Sequence, residues 1–210
     1  MEYNFYKSNR ELHKLSVESL SGMWKQTTKV SLLFIVLFLI FVALSAMPYF
    51  IFNSLIFTII TSIISAYLLY ILNYGWKRYC WNVATQKDVK LTLLFSGFGK
   101  PFFKLTLVLI KKFFLLLGWL MILVFPAFYK WLCYDMYHYI MIDDFKIVKD
   151  PISESIHIMK SNVFRLFKFY LSFLGWFLLG ILSAGVGFVW LLPYFSVAKA
   201  HFYENLKTDF

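Results

Sequence analysis

The chain has 210 residues, of which 60% are hydrophobic and 15% charged, with a net charge of +10. Soluble domains carry about a quarter charged residues, and a chain of this length cannot bury six residues in ten, so an ordinary soluble enzyme or binding module is excluded. The surplus apolar surface, with 25 Phe and 14 Tyr, needs lipid, and Tyr suits the headgroup boundary. The basic residues cluster between apolar runs, where cytoplasmic loops and anionic headgroups use them. No basic recognition helix or nucleic-acid motif accompanies them, so no nucleic-acid partner is expected. Cys80 and Cys133 are too far apart in sequence for a metal or disulfide framework and read as embedded thiols.

Residues 1–29 lack the apolar core and cleavage site of a secretory signal, so the first apolar run stays as a signal anchor. Within them, residues 8–24 read as an amphipathic helix, with Ser8 placed to cap it and Glu11 to close a capping box. Leu12, Leu15, Leu20 and Met23 share one face. That face lies either on the cytoplasmic bilayer surface or against the protein's own loops. Val30–Met47 is uncharged and long enough to span. Pro48 and Asn53 mark a tight connection, and Ser54–Tyr74 is the second span. The link between them holds no Lys or Arg, whereas the N-terminal segment holds five, so the link is expected outside and the N-terminus inside.

Residues 75–112 hold eight Lys and Arg against one acid, Asp88, the strongest cytoplasmic signal in the chain. Residues 90–98 suggest an interfacial helix, closed by Gly97 and Gly99, and Pro101 suits the first turn of the next helix. Lys104, Lys111 and Lys112 fall on a similar face there, positioned to snorkel. Phe113–Phe125, with the turns before it, is the third span. Pro126–Asp144 follows, and residues 145–168 then hold five basic and two acidic residues. Phe169–Leu182 is a span, Ser183–Gly187 a turn, and Phe188–Tyr203 a last apolar segment kinked at Pro193.

Charge parity bears on Pro126–Asp144. If that stretch does not cross, the basic segment 145–168 falls outside; if it does, 145–168 and both termini are inside, as the charge rule prefers. A crossing needs about 17–20 residues, which Ala127–Asp143 supplies. The expected fold is all-α and polytopic, with about six transmembrane segments, the fourth short and polar, plus the amphipathic N-terminal helix. A re-entrant or interfacial fourth segment with five crossings is the alternative. Residues 1–29 then form the cytoplasmic N-terminal helix, 30–204 one helical membrane domain and 205–210 a cytoplasmic tail. Lys130 is expected outside and Lys146 inside.

Pro126–Asp144 also carries the candidate site. Trp131, Tyr134, Asp135, His138 and Tyr139 recur at helical spacing and would share a face, with Asp135 and His138 close enough to pair. Ionisable groups inside a span usually face the bundle and have partners. Lys130, Tyr134, Asp135, His138 and Tyr139 are thus polar intramembrane candidates for a proton relay, ion site or ligand site. The alternatives are a structural pair that orients the helix, or an aromatic belt. Asp135-x-x-His138 is half of a helical carboxylate–histidine metal motif and lacks its second half, so no metal and no cofactor is expected. Ser172 lies in an apolar helix with no base near it in sequence, and no nucleophile elbow, phosphate loop or dinucleotide fingerprint occurs. Gly175, Gly180, Gly185 and Gly187 are the candidate helix-packing glycines.

Residues 171–206 carry a pattern of Ser172-Phe173, Gly175-Trp176, Gly185, Gly187, Trp190, Pro193-Tyr194, Ala198 and Phe202-Tyr203. Upstream, Pro126, Lys130, Tyr134 and Met136 continue it with Tyr139-Ile140 and Asp143, and Arg10, Leu20, Gly22 and Trp24 stand near the start. This pattern resembles the bacterial domain-of-unknown-function 975 family. Ser161 and Ala127 stand where the family usually has glycine. The resemblance implies a multi-pass bacterial membrane protein without an established reaction, and it implies no catalytic residues.

Three functions follow as expectations. The first is a non-enzymatic protein acting through helix or lipid contacts, in envelope protection of the immunity kind or as an accessory of an envelope or transport complex. Its partners would be the bilayer, anionic headgroups on the cytoplasmic side, and a membrane protein or a second copy. The second is a small transporter or channel subunit using segment 126–144. The third, a lipid-modifying enzyme, needs a buried cluster of ionisable side chains that sequence spacing does not show; convergence of Lys130, Asp135 and His138 in a lipid-accessible cavity would favour it.

Overall fold

A computed structural model of the chain describes residues 7–122, 124–143 and 148–207. Among these, every regular element is helical, as the apolar periodicity predicts. The α-helices are α1 (Asn9–Leu20), α2 (Trp24–Phe52), α3 (Leu55–Ala84), α4 (Phe102–Ile122), α5 (Val124–Cys133), α6 (Tyr137–Asp143), α7 (Pro151–Met159), α8 (Val163–Leu182) and α9 (Phe188–Lys207). A 3-10 helix, Leu91–Phe98, links α3 to α4. Lys146, expected inside, lies outside the described residues.

α1 starts where the sequence places it. The Glu11 N–H donates to Ser8 Oγ and the Ser8 N–H donates to Glu11 Oε2 at 2.6 Å, closing the capping box. Hydrogen bonds donated to Glu11 Oε2 by the Ser8 N–H and by the Ser8 hydroxyl hold the Glu11 carboxyl below its usual range. Ser8→Ala is expected to loosen the first turn by about 1 kcal/mol, read as faster exchange of the Glu11 amide. The apolar face settles against the protein itself: Leu12, Ser16 and Leu20 are fully buried, and α1 packs on α9, α3 and α8.

Three helices are long and apolar enough to cross a membrane: α2 over Trp24–Ile51, α3, and α8. α2 continues through Pro48 and turns at Asn53, whose φ of 46° gives the left-handed stop; the first span is longer than expected because Pro48 lies within its last turns. α3 runs 30 residues, about 45 Å, which exceeds a hydrocarbon core of about 30 Å. Its two ends differ accordingly. Leu55, Ile56 and Ile63 are exposed, whereas Ile71 to Ala84 contribute Tyr74, Trp76, Tyr79, Trp81 and Val83 to the buried core. The second span thus extends ten residues past its expected end at Tyr74 as the central post of a packed base.

Two further hairpins complete the molecule. α4 and the α5–α6 stretch fold back on each other: Lys112 Nζ lies 4.8 Å from the Tyr137 ring, although a continuous helix would separate those residues by about 37 Å. α8 and α9 turn through Ser183–Gly187, where Ala184 and Gly185 take positive φ. The residues nearest the three tips, Phe50, Met121 and Leu182, are 82%, 84% and 82% exposed. Exposed Phe, Ile and Leu continue down α2, α3, α4 and α8, the surface that lipid covers in a helical membrane protein. α9 runs to Lys207 with Asn205 and Leu206 buried, so the first part of the expected tail is packed helix.

The glycines sort differently from expectation. Gly180 and Gly187 do pack, since a methyl on Gly187 would lie 3.1 Å from the Gly180 Cα. Gly185 serves the turn through its φ of +88°, and neither it nor Gly175 has a described neighbour within 4 Å of an added methyl. The tightest approaches are at Gly75, where a methyl would overlap the Leu94 carbonyl, and Gly97, where it would meet the Ile71 carbonyl oxygen at 2.5 Å. These two seat the 3-10 helix on α3.

Candidate functional site

The stretch that follows α4 does not form one continuous helix. α5 ends at Cys133, Tyr134–Met136 form a turn, and α6 resumes at Tyr137. The expected shared face is therefore broken. Trp131 is 43% exposed while Tyr134, His138 and Tyr139 are buried. Lys130 lies 5.0 Å from the Trp119 ring on the neighbouring α4, so it does not converge with Asp135 and His138.

The turn aims Asp135 at α8 and α9. Asp135 Oδ2 accepts from Lys199 Nζ at 2.6 Å and from the Tyr170 hydroxyl at 2.7 Å, and Lys199 also donates to that hydroxyl at 2.7 Å. The side chains of Lys199 and Asp135 are only 7% and 13% exposed. Asp135 thus pairs with Lys199 and Tyr170, and the expected Asp135–His138 pair gives way to bonds between helices, because the turn rotates the two side chains apart.

His138 turns to α3 instead. Lys77 Nζ lies 3.0 Å from His138 Nδ1. With Lys77 as an ammonium, which only donates, Nδ1 accepts and the ring proton is assigned to Nε2. That Nε2 is buried and has no hydrogen-bond partner. Lys112, from α4, caps the Tyr137 ring beside it. Three lysines from three helices therefore surround one carboxylate and one imidazole. Tyr139 supports the group from below: its hydroxyl donates to the Ser196 carbonyl at 3.4 Å and its ring stacks on Tyr203. Among the described residues no third His, Cys, Asp or Glu joins Asp135 and His138 in a metal-ligand group.

The three lysines of α4, expected to snorkel together, diverge. Lys104 donates to the Val148 carbonyl at 2.6 Å, Lys111 bonds Asp150, and Lys112 turns inward. Burial raises the Asp150 carboxyl, but the bonds from Lys111 and Ser153 outweigh that and hold it below its usual range.

A second polar group ties α1 down. Ser172 does have a base beside it, contrary to expectation, because sequence distance hides the approach of α1: His13 Nε2 lies 3.1 Å from Ser172 Oγ and His13 Nδ1 lies 2.5 Å from the Tyr194 hydroxyl. Ser172 gives its own proton to the Phe169 carbonyl at 2.7 Å, so His13 donates from Nε2 and accepts from Tyr194. The hydroxyl sits within α8, where the helical N–H groups are already bonded, and no free donor pair is available for a tetrahedral oxyanion. The contact is a latch and not a nucleophilic dyad. Ser19 and His201 make a parallel contact at 2.8 Å.

Burial holds His13 below its usual value. An undocked ring takes up a proton as pH falls below about 6.5, while the docked ring resists. Docking is thus at full strength above that pH and weakens as pH falls through the lowered value. Proteolysis of α1 is expected to accelerate from pH 7.5 to pH 5, and His13→Phe is expected to lessen that dependence, the Ser19–His201 contact carrying the rest.

No curated protein and no solved structure matches the chain. Residues 119–209 match the family model described as "Protein of unknown function (DUF975)". The matched residues include Asp135, His138, Tyr170 and Lys199, whereas Lys77, Lys112 and the α1 features Arg10, Leu20, Gly22 and Trp24 fall outside them. Over residues 119–209 the chain is thus similar to the DUF975 family.

Proposed function

We propose that this is a bacterial cell-membrane protein, with both termini cytoplasmic, that acts by contact and not by catalysis. Its role is envelope protection of the immunity kind or support of an envelope or transport complex. The observation that carries the reading is the division of the molecule. Sparsely packed apolar hairpins present Phe, Ile and Leu outward, while the basic, tightly packed base gathers α1, the C-terminal part of α3, α6, α7 and α9. Such hairpins offer their faces to lipid or to partner helices. Deletion is expected to raise sensitivity to envelope stress, and affinity capture in mild detergent to retain a membrane partner or a second copy. Unchanged sensitivity together with no retained protein would sink the reading.

The buried charge cluster favours a second reading, a transporter or channel subunit. Under it, Asp135→Asn and His138→Ala abolish flux while the protein stays in the membrane, and intact flux in both removes it.

A further inference from the structure

The charges around His138 do not balance. Lys77, Lys112 and Lys199 all lie within electrostatic reach of His138, and among the described residues only Asp135 opposes them. Lys199 uses that carboxylate. Among the described residues Lys77 meets the imidazole and the Tyr139 ring, and Lys112 the Tyr137 ring. Among the described residues neither Lys77 nor Lys112 thus has a carboxylate of its own, and an uncompensated charge in a packed interior is costly. The His138 Nε2–H, in a residue 5% exposed, is a donor with no acceptor. Excess cations and an orphaned donor call for the same missing partner, an anion with more than one accepting oxygen. Lys77, Lys112, Asp135 and Tyr170 keep partial exposure.

Depth along α3 narrows the chemistry. Lys77 stands 22 residues beyond Leu55, about 33 Å along the helix. With Leu55 at one hydrocarbon boundary, Lys77 lies just past the other, at the level of headgroup phosphates.

We propose that Lys77, Lys112 and the His138 Nε2–H form a binding site for a phosphate oxyanion, presented by an anionic lipid headgroup or as the free ion. Asp135 and Tyr170 hold Lys199 in place at its edge. The site stands whether the protein works by contact or by transport.

The test uses the full chain in nanodiscs of phosphatidylcholine, titrated with inorganic phosphate in one arm and with phosphatidylglycerol in the other, and read by thermal unfolding. Saturable stabilisation by either probe is expected. A response to phosphate identifies the free ion, and a response to phosphatidylglycerol alone identifies the lipid headgroup. Lys112→Gln, which orphans no carboxylate, is expected to weaken the response roughly tenfold, as loss of one charge-assisted bond does, and Lys130→Gln to leave it unchanged. Lysine ¹⁵Nζ–³¹P dipolar dephasing on the unmodified chain is expected to show contact, and it decides the matter should the variant fail to fold. No saturable response to either probe, an undiminished response in a folded Lys112→Gln, or absence of dephasing overturns the proposal.

Discussion

Asp135→Asn is expected to destabilise the protein by about 3–5 kcal/mol, the usual cost of breaking a buried pair by removing one partner, and by more than Lys199→Gln does. The asymmetry follows from the charges around the pair. Losing Asp135 leaves Lys199, Lys77 and Lys112 facing one another without an acid among the described side chains. Losing Lys199 leaves Asp135 with its Tyr170 hydrogen bond at 2.7 Å and with Lys77 and Lys112 still in reach. The double variant should cost less than the two single changes together, because the partners share one interaction. Thermal unfolding in a fixed detergent checks all three. Equal costs for the single variants, or strict additivity, would mean that the pair is not coupled to the lysines around it.

Gly75→Ala is the second large effect. The added methyl would run into the Leu94 carbonyl, and backbone on both sides cannot move aside as a flexible side chain would. Such overpacking costs about 3 kcal/mol and should detach the 3-10 helix Leu91–Phe98 from α3. Gly175→Ala, in open space on α8, should instead be neutral or stabilise by about 0.5–1 kcal/mol through helix propensity. Hydrogen exchange across Leu91–Phe98 separates the two cases: Gly75→Ala accelerates it and Gly175→Ala does not. Unchanged exchange in Gly75→Ala would show that the 3-10 helix is not seated there.

These two positions show what was legible in the sequence. The helical class, the capping box at Ser8 and Glu11, the turns at Asn53 and Ser183–Gly187 and the start of α4 after Pro101 all follow from local chemistry, and local chemistry is what a sequence displays. Gly175 and Gly75 are indistinguishable on that basis, because what separates them is a carbonyl from a segment about 20 residues away. The site is similar. Asp135 and His138 stood out as ionisable residues in an apolar stretch, yet spacing along a helix suggested that they pair with each other. The turn at Tyr134–Met136 has no Gly or Pro to announce it, and it sends the two side chains to different helices. One signal was present and undervalued: Lys199 is the only charged residue between Phe188 and Tyr203, and a lone buried cation needs an anion. Lys77 and Lys112 were hidden in a segment whose basic residues also fit the positive-inside rule, which counts charges without asking which ones turn inward. Ser172 and His13 lie too far apart in sequence for any motif to join them.

The disposition of the hairpins across the bilayer is open to one direct measurement. Single cysteines at Asn53, Ala184 and Lys149, with Cys80 and Cys133 buried in the fold, are labelled in intact cells with a membrane-impermeant maleimide. Asn53→Cys and Ala184→Cys, at the tips of the α2–α3 and α8–α9 hairpins, are expected to label from outside, and Lys149→Cys only after permeabilisation. Labelling of Lys149→Cys in intact cells, or protection of both tips, would contradict a base that faces the cytoplasm beneath membrane-crossing hairpins.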